Sequence, residues 1–305
     1  MKKVLLIYGG TSSEHDVSCI SAKSIINNID NKKYKLDCVE ITQNNKWLYN
    51  NEEITNIITF LKKYDVIFPI THGTNGEDGK LQGLLDLFNI KYIGSKWGTS
   101  YICMDKERTK QILHYHKIPQ VPFEIYKDNK ISIPYPVIIK PANGGSSIGI
   151  QIANNKKELK KAIKIAKKYD NKIIVEKFIN AQELEVAVIK NKKLIISEVG
   201  EIISANNFYD YEAKYKNKES KTLIPANIEE NISDQIKEYA KQIVEILNIE
   251  GLARIDFFYD KDYKKIYLNE INTLPGFTEI SMFPKLIMNE GFTYQEIISM
   301  LIENA

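Results

Sequence analysis

The sequence predicts an α/β protein whose N-terminal part is a parallel sheet flanked by helices and whose C-terminal part is an α+β structure. In the first 96 residues, apolar strand-like runs alternate with helix-like segments, as is typical of parallel sheets. Residues 135–154 hold two strand-like runs joined by a glycine-rich loop. Near the C-terminus, two alternating runs flank the polar turn "DKDYKK", which indicates an antiparallel hairpin.

The composition is that of an ordinary globular protein. The 305 residues are 43% hydrophobic and 27% charged, with a net charge of +3 and lysines mixed among acidic residues. This pattern does not suggest nucleic-acid binding. The three cysteines are widely spaced, which favours a reducing compartment, and the N-terminal apolar run is too short for a signal peptide or a membrane span. We therefore expect a cytoplasmic protein without a membrane or nucleic-acid partner.

Three units are predicted, at residues 1–96, 97–179 and 180–305. The first holds strands at 3–10, 34–42, 64–73 and 91–95, a helix over 12–30 that starts at its serines, and a helix over 80–90. The second holds one helix over 100–118, the strand–loop–strand segment, a helix over 156–170 and a strand at 172–179. The third holds a strand pair turning at Asn191, an aromatic aperiodic stretch at 208–220, a helix over 233–249 and the C-terminal hairpin.

The loop "NGGSSIG" (143–149) is a candidate phosphate-binding element. Gly144, Gly145 and Gly149 permit close approach of the backbone to a ligand, and Lys140 ends the preceding strand as a point charge. The loop matches neither the P-loop nor the dinucleotide-binding pattern. The alternative is an ordinary Gly-Ser hairpin turn.

The C-terminal hairpin is a candidate metal site. Arg254 and Asp256 share one face of their strand, as do Glu270 and Asn272, because strand side chains alternate between faces. The turn brings these faces side by side. Three oxygen ligands, from Asp256, Glu270 and Asn272, suit Mg²⁺. The alternative is the solvent-facing polar side of an antiparallel sheet.

Several motifs in fixed order resemble the D-alanine–D-alanine ligases of the ATP-grasp superfamily. The similarity spans nearly the whole chain and is weakest at 40–60 and 216–250. The motifs are "GGTSSEHDVS" (9–18), "THGTNGEDGKLQGLL" (71–85), "MDKERTK" (104–110), "IIKPANGGSSIG" (138–149), "VEKFINAQELEVAV" (175–188), "FYDYEAKY" (208–215), "ARIDFF" (253–258) and "LNEINTLPGFTEISMFPKL" (268–286).

The resemblance implies an ATP-grasp fold of two α+β subdomains after the N-terminal α/β unit, and a nucleotide site. ATP and two Mg²⁺ ions are implied as cofactors. Mn²⁺ is implied as a substitute for Mg²⁺, and a monovalent cation as an optional further cofactor. The implied phosphate contacts are Lys106, Lys140, Ser146, Ser147 and Lys214. Glu176 is implied for the adenine amino group, with backbone groups near Lys177 and Ile179, and Glu183 for the ribose. Asp256, Glu270 and Asn272 are implied as the metal ligands.

The resemblance also implies a substrate site. Glu14 anchors the ammonium of the first D-alanine, and Ser146 and Tyr215 join it in a hydrogen-bond chain that closes a lid. Arg254 and the backbone N–H of Gly276 hold the tetrahedral oxyanion. The remaining implied substrate residues are Ser281 and the Met282 backbone, for the second carboxylate, and His72 and Glu77, near the pocket.

The implied reaction joins two D-alanine molecules through a D-alanyl phosphate for peptidoglycan precursor synthesis, in a homodimer formed through the first unit. A D-serine or D-lactate ligase is the alternative within the superfamily, and a non-catalytic nucleotide-binding module is the alternative outside it. Tyr215 favours D-alanine over D-lactate, because D-lactate ligases resemble this family but carry His in its place. Glu279 departs from the small residue expected there and leaves details of the second subsite open.

Overall fold

The computed structural model describes residues 1–127, 130–203 and 221–305. Its first sheet has the order β4-β3-β2-β1-β5. The strands are β1 (Lys2–Gly9), β2 (Tyr34–Ile41), β3 (Trp47–Tyr49), β4 (Glu52–Glu53) and β5 (Val66–Pro69). Strand β1 is parallel to both β2 and β5, which confirms the predicted parallel sheet, whereas β3 and β4 form an antiparallel edge.

The helices around this sheet are α1 (His15–Asn28), α2 (Ile57–Leu61) and α3 (Lys80–Leu87). The predicted serine start of α1 is wrong, since Glu14 is the N-cap residue and its side chain does not cap the helix. The Ser12 hydroxyl instead donates to the carbonyl of His72 (2.7 Å) and accepts from the N–H of Glu14 (3.1 Å). The predicted strand at 91–95 is reduced to a single parallel bridge, between Tyr92 and Ile67 of β5.

The predicted helix over 100–118 is two helices, α4 (Trp97–Met104) and α5 (Lys106–Tyr115). Asp105 breaks it with an extended backbone (ψ 97°), and its carboxylate accepts hydrogen bonds from the N–H groups of Glu107 and Arg108. An aspartate in this position is a strong N-cap, which is why a new helix starts here.

A four-stranded sheet of order β6-β9-β7-β8 follows, with α6 (Lys156–Ala166) packed on it. Its strands are β6 (Phe123–Ile125), β7 (Val137–Pro141), β8 (Gln151–Ala153) and β9 (Ile173–Lys177). Strands β7 and β8 are antiparallel, which confirms the predicted hairpin around the glycine loop.

The third part is a six-stranded antiparallel sheet of order β13-β12-β10-β14-β15, with β11 paired to β10. The strands are β10 (Gln182–Lys190), β11 (Leu194–Ile196), β12 (Gly200–Ile203), β13 (Lys221–Leu223), β14 (Gly251–Asp260) and β15 (Lys265–Asn272). The helices are α7 (Glu230–Ile246), α8 (Met282–Asn289) and α9 (Tyr294–Glu303). The predicted turn at Asn191 and the C-terminal hairpin are confirmed.

One hydrophobic core joins the first sheet to the C-terminal helices. Phe68 of β5, Phe277 of the loop between β15 and α8, and Phe283 of α8 are fully buried. The ring centroids of Phe68 and Phe277 are 6.0 Å apart, and those of Phe277 and Phe283 are 5.6 Å apart. The loop between β15 and α8 is therefore anchored against the N-terminal sheet. Within the three described ranges, no helix combines the length and the apolar character that a membrane span requires.

Candidate functional site

A cleft lies between the four-stranded and six-stranded sheets. Its walls come from β7, from the glycine loop and from β14–β15. Six of the residues implied for nucleotide or metal line it, namely Lys106, Lys140, Ser147, Ile179, Glu183 and Glu270. The apolar side chains of Ile138, Phe178 and Phe258 complete a surface suited to a flat heteroaromatic ring.

The glycine loop is held at its base and forms one wall of the cleft. The Lys106 ammonium donates to the carbonyl of Gly144 (2.6 Å), so α5 and the loop are joined. Ser146 and Ser147 have positive φ values of 52° and 58°, and Gly149 follows at 77°. A run of left-handed residues of this kind turns the chain sharply, which suits a loop that folds back over a bound ligand.

Lys140 enters the cleft from β7 and is held by two oxygen acceptors. Its ammonium lies 2.7 Å from Glu176 Oε2 and 3.2 Å from Asn269 Oδ1. Burial by itself raises the pKa of Glu176, but Lys110 and Lys140 outweigh burial and lower that pKa to about 2. Glu176 is 2% exposed, and neither it nor Lys177 lines the cleft, so the adenine contact of Glu176 stays a prediction.

The predicted metal ligands converge. Asp256 lies opposite Glu270 in the β14–β15 register, and Arg254 lies opposite Asn272. Arg254 donates two hydrogen bonds of 2.7 Å to the Asp256 carboxylate, and the Asn272 amide donates a third at 3.0 Å. Lys106 Nζ is 3.7 Å from Glu270 Oε2.

This donor set fits Mg²⁺ bound together with phosphate. Two carboxylates and an amide oxygen are too few to enclose the ion, and the described ranges contain no group of three or more His, Cys, Asp or Glu side chains that could hold a metal. Mg²⁺ commonly keeps several waters and binds through one or two carboxylates plus substrate phosphates. Asp256, Glu270 and Asn272 are therefore suitable ligands once phosphate oxygens enter the cleft.

A second cavity adjoins this cleft, and Gly145 and Glu270 line both. It brings together most of the residues implied for the substrate. They are Glu14, His72, Glu77, Ser146, Arg254, Gly276, Ser281 and Met282. A carboxylate bound here can reach a phosphate held in the cleft, because the two spaces meet at the predicted metal site.

Glu14 connects the N-terminal unit to the glycine loop. The Ser146 hydroxyl donates to Glu14 Oε1, and Glu14 is 8% exposed. A Cβ atom at Gly145 would lie 2.9 Å from Glu14 Oε2, and one at Gly73 would lie 2.7 Å from the same oxygen. Glycine at both positions thus allows the backbone to approach this carboxylate closely.

His72 and Glu77 hold the backbone of Leu274. His72 Nδ1 donates to the Leu274 carbonyl (2.9 Å), while the Leu274 N–H donates to Glu77 Oε1 (3.2 Å). Burial lowers the pKa of His72. Burial, and then the charge of Glu14, raise the pKa of Glu77 to about 7. The two side chains therefore fix the turn that leads to Gly276.

Ser281 is the N-cap residue of α8, and Met282 begins that helix. The Ser281 hydroxyl accepts a hydrogen bond from the N–H of Thr278 (3.1 Å), and a Cβ at Gly276 would lie 3.0 Å from it. A helix N-terminus favours an anion, so this corner of the cavity suits a carboxylate.

Glu185 and Lys110 are charged residues of the site that the sequence-based predictions missed. Glu185 lines the second cavity and lies 3.0 Å from Arg254 Nε, so Arg254 is held by two carboxylates. Its signal is the pattern "ELE", which places Glu183 and Glu185 on one strand face. Lys110 follows Lys106 by one helical turn and contacts Glu176.

Three predicted details have different outcomes. Lys214 and Tyr215 lie outside the described residues, so their roles stay predictions. Glu279 is exposed, accepts a hydrogen bond from Asn28 (3.4 Å) and does not line the second cavity. Its departure from the expected small residue therefore leaves the wall of that cavity unchanged.

Comparison with known proteins shows extensive similarity. Residues 109–303 match the family described as the D-ala D-ala ligase C-terminus, and residues 3–60 and 50–95 match the D-ala D-ala ligase N-terminus. A D-alanine--D-alanine ligase of Clostridium novyi is 42% identical, covering 100% of this chain and 98% of that protein. One of Chloroherpeton thalassium is 41% identical, covering 100% and 96%.

Solved structures agree with this assignment. The VanG D-Ala:D-Ser ligase of Enterococcus faecalis superposes with a TM-score of 0.88 at 32% identity, over 99% of this chain and 98% of that one. The D-alanine-D-alanine ligase of Coxiella burnetii gives 0.85 at 30% identity, over 99% and 93%. The fold is thus the predicted ATP-grasp architecture. Because family match, identity and fold agree along the whole length, the chain belongs to the D-alanine–D-alanine ligase family.

Proposed function

We propose that this chain catalyses the ATP-dependent ligation of two D-alanine molecules to D-alanyl-D-alanine, releasing ADP and phosphate. The observation that carries the proposal is the junction of the nucleotide cleft and the second cavity at Glu270, beside Asp256 and Arg254. A site that only bound nucleotide would not need a second cavity with carboxylate and ammonium partners at the phosphate end.

The first step joins the carboxylate of one D-alanine to the γ-phosphorus of ATP, giving D-alanyl phosphate and ADP. Two anions must meet in this step, and Lys140 and Lys106 bring positive charge to the phosphate end of the cleft. Mg²⁺ held by Asp256, Glu270 and Asn272 would supply further charge neutralisation there. Glu14, already hydrogen-bonded by Ser146, accepts from the substrate ammonium.

The second step joins the amine of the other D-alanine to the acyl carbon, and phosphate leaves. The negative oxygen that forms is stabilised by the Arg254 guanidinium and the N–H of Gly276, both of which line the second cavity. The Leu274 peptide that precedes this turn is fixed by His72 and Glu77, so the donor does not have to reorganise during the reaction.

For the second substrate we favour D-alanine over D-serine. The N-terminus of α8, with Ser281 and Met282, suits the carboxylate of either amino acid. The relatives at 41–42% identity are D-alanine--D-alanine ligases, and of the two solved structures the D-Ala:D-Ser ligase shares 32% and the D-alanine-D-alanine ligase 30%. A hydroxymethyl group changes the required volume only slightly, so the choice has to be tested directly.

The test is ADP release with Mg·ATP and D-alanine, with L-alanine, D-serine and D-lactate as alternative substrates and products identified by mass. ADP together with a D-alanyl-D-alanine mass is the expected result with D-alanine alone. A product containing D-serine or D-lactate in preference would assign the second subsite to that substrate. Nucleotide binding without any product would reject the ligase function of this site.

The proposal extends to the setting of the reaction. Family membership supports peptidoglycan precursor synthesis in the cytoplasm, a homodimer formed through residues 1–96, units divided near residues 96 and 179, and Mn²⁺ in place of Mg²⁺. Activity measured with each cation tests the substitution of Mn²⁺ for Mg²⁺. The mass of the particle, measured by light scattering, tests the homodimer.

A further inference from the structure

Helix α5 presents two lysines to the nucleotide site, and only one of them reaches the cleft. Lys106 lines the cleft, while Lys110, one turn later on the same face, is 2% exposed and does not. The Lys110 ammonium lies 2.9 Å from Glu176 Oε1 and 5.2 Å from the ring centroid of Phe123. A lysine this deeply buried requires a compensating partner, which Glu176 provides.

Glu176 is shared between two lysines. Its Oε1 faces Lys110, and its Oε2 lies 2.7 Å from the ammonium of Lys140. Strands β7 and β9 set this arrangement, because Lys140 and Glu176 come from neighbouring strands. The cluster thus holds two ammonium groups and one carboxylate, and of its members only Lys140 lines the cleft.

We propose that Lys110 is a positioning residue for nucleotide binding, whose buried ammonium balances the Glu176 carboxylate so that the Lys140 ammonium stays available to the ATP phosphates. This inference rests on the proposed function for the phosphate role of Lys140. Lys110 does not line the cleft, so it acts through Glu176 and Lys140.

The physical reason is the low dielectric constant of the interior. With Lys110 present, the cluster keeps one net positive charge at the phosphate end of the cleft. Without Lys110, Glu176 and Lys140 form a one-to-one ion pair, and a buried pair of this kind attracts strongly because water does not screen it. The Glu176 carboxylate then neutralises the charge of the Lys140 ammonium, so Lys140 attracts the nucleotide phosphates less strongly.

Calorimetric titration of the full chain with the Mg²⁺ complex of a non-hydrolysable ATP analogue tests the inference without relying on turnover. Lys110→Met should raise the dissociation constant by about tenfold or more, by analogy with the loss of metal affinity when the hydrogen-bond partner of a metal ligand is removed. Lys110→Arg keeps the charge and should retain most of the affinity. The matched control is Lys160→Met, which removes an exposed lysine from α6 and should leave the affinity unchanged.

Two further variants separate charge from packing. Lys110→Gln keeps a hydrogen-bond donor to Glu176 without charge, and it should lose affinity as Lys110→Met does; it also serves if the methionine variant does not fold. In a Glu176→Gln background, Lys110→Met should have a several-fold smaller effect, because no carboxylate remains to neutralise Lys140.

Wild-type affinity in a folded Lys110→Gln protein, or the same loss of affinity in both backgrounds, would overturn the inference. If instead the proposed function fails, the wild type binds the analogue but forms no dipeptide. This result differs from every outcome that would overturn the inference about Lys110.

Discussion

Arg254 shows how much of this site depends on one side chain. It is one of only two arginines in a chain with forty lysines. Its guanidinium makes two hydrogen bonds to Asp256 and an ion pair with Glu185, and it lines the cavity where we place the oxyanion. Lysine cannot reproduce this planar, two-pronged geometry.

We predict that Arg254→Lys loses turnover on the order of 10²–10³-fold, the usual loss when one oxyanion donor is removed, while nucleotide binding is retained. Steady-state rates of ADP formation and titration with a nucleotide analogue measure the two quantities separately. Arg108→Lys is the control, because Arg108 is exposed on α5 and donates to Gln111. A wild-type rate for Arg254→Lys would exclude Arg254 as an oxyanion donor.

At the scale of the element, helix α3 shows how the backbone restricts two glycines differently. Gly79 is its N-cap residue with φ of 88°, and an added Cβ would lie 2.5 Å from the carbonyl of Trp97. Gly83 lies inside the helix, where the nearest atom to an added Cβ is 3.8 Å away. The first position therefore requires glycine, and the second does not.

We predict opposite effects of the same substitution at these two positions. Gly83→Ala should stabilise the protein by about 0.5–1 kcal/mol, because alanine has the higher helix propensity. Gly79→Ala should destabilise it by roughly 1–2 kcal/mol from the left-handed backbone alone. Thermal unfolding of both variants measures the sign, and a lower midpoint for Gly83→Ala would contradict the prediction.

At the scale of the whole molecule, the reaction centre is assembled across a shared core. Glu77 belongs to the N-terminal unit, yet its carboxylate accepts from the N–H groups of both Gly73 (3.1 Å) and Leu274 (3.2 Å). Its pKa is raised from 4.5 to about 7, by burial first and by Glu14 second. Glu77 therefore couples protonation to contact between the N-terminal unit and the loop before α8.

This coupling predicts a pH dependence of stability. Between about pH 4.5 and 7 the folded protein binds more protons at Glu77 than the unfolded chain, so the contribution of Glu77 is fully present below pH 4.5 and is lost as pH rises through 7. Glu77→Gln lacks this titration. The free energy of unfolding of Glu77→Gln minus that of the wild type should therefore rise with pH up to about 7 and then stay constant.

Denaturant unfolding of both proteins from pH 5 to 8 measures this difference. The exposed Glu52→Gln variant, on strand β4, supplies the baseline. A difference between wild type and Glu77→Gln that does not vary with pH would contradict the raised pKa.

The sequence alone predicted those features that depend on nearby residues. Arg254 and Asp256 share a strand face because strands have a two-residue period, and the short turn of the hairpin brings Glu270 and Asn272 opposite them. The glycine loop and its flanking strands are likewise local. The order of the motifs was sufficient to predict the family, the fold class and the reaction.

The tertiary structure alone decided contacts between distant segments. Glu176 pairs with Lys110, which lies 66 positions earlier in the chain. Glu77 accepts a hydrogen bond from the N–H of Leu274, which lies 197 positions later. The use of Ser12 to hold the His72 carbonyl instead of capping α1 also depends on what lies nearby in space. Such contacts arise when separate elements pack together, and no periodicity along the chain encodes which buried groups will then need a partner.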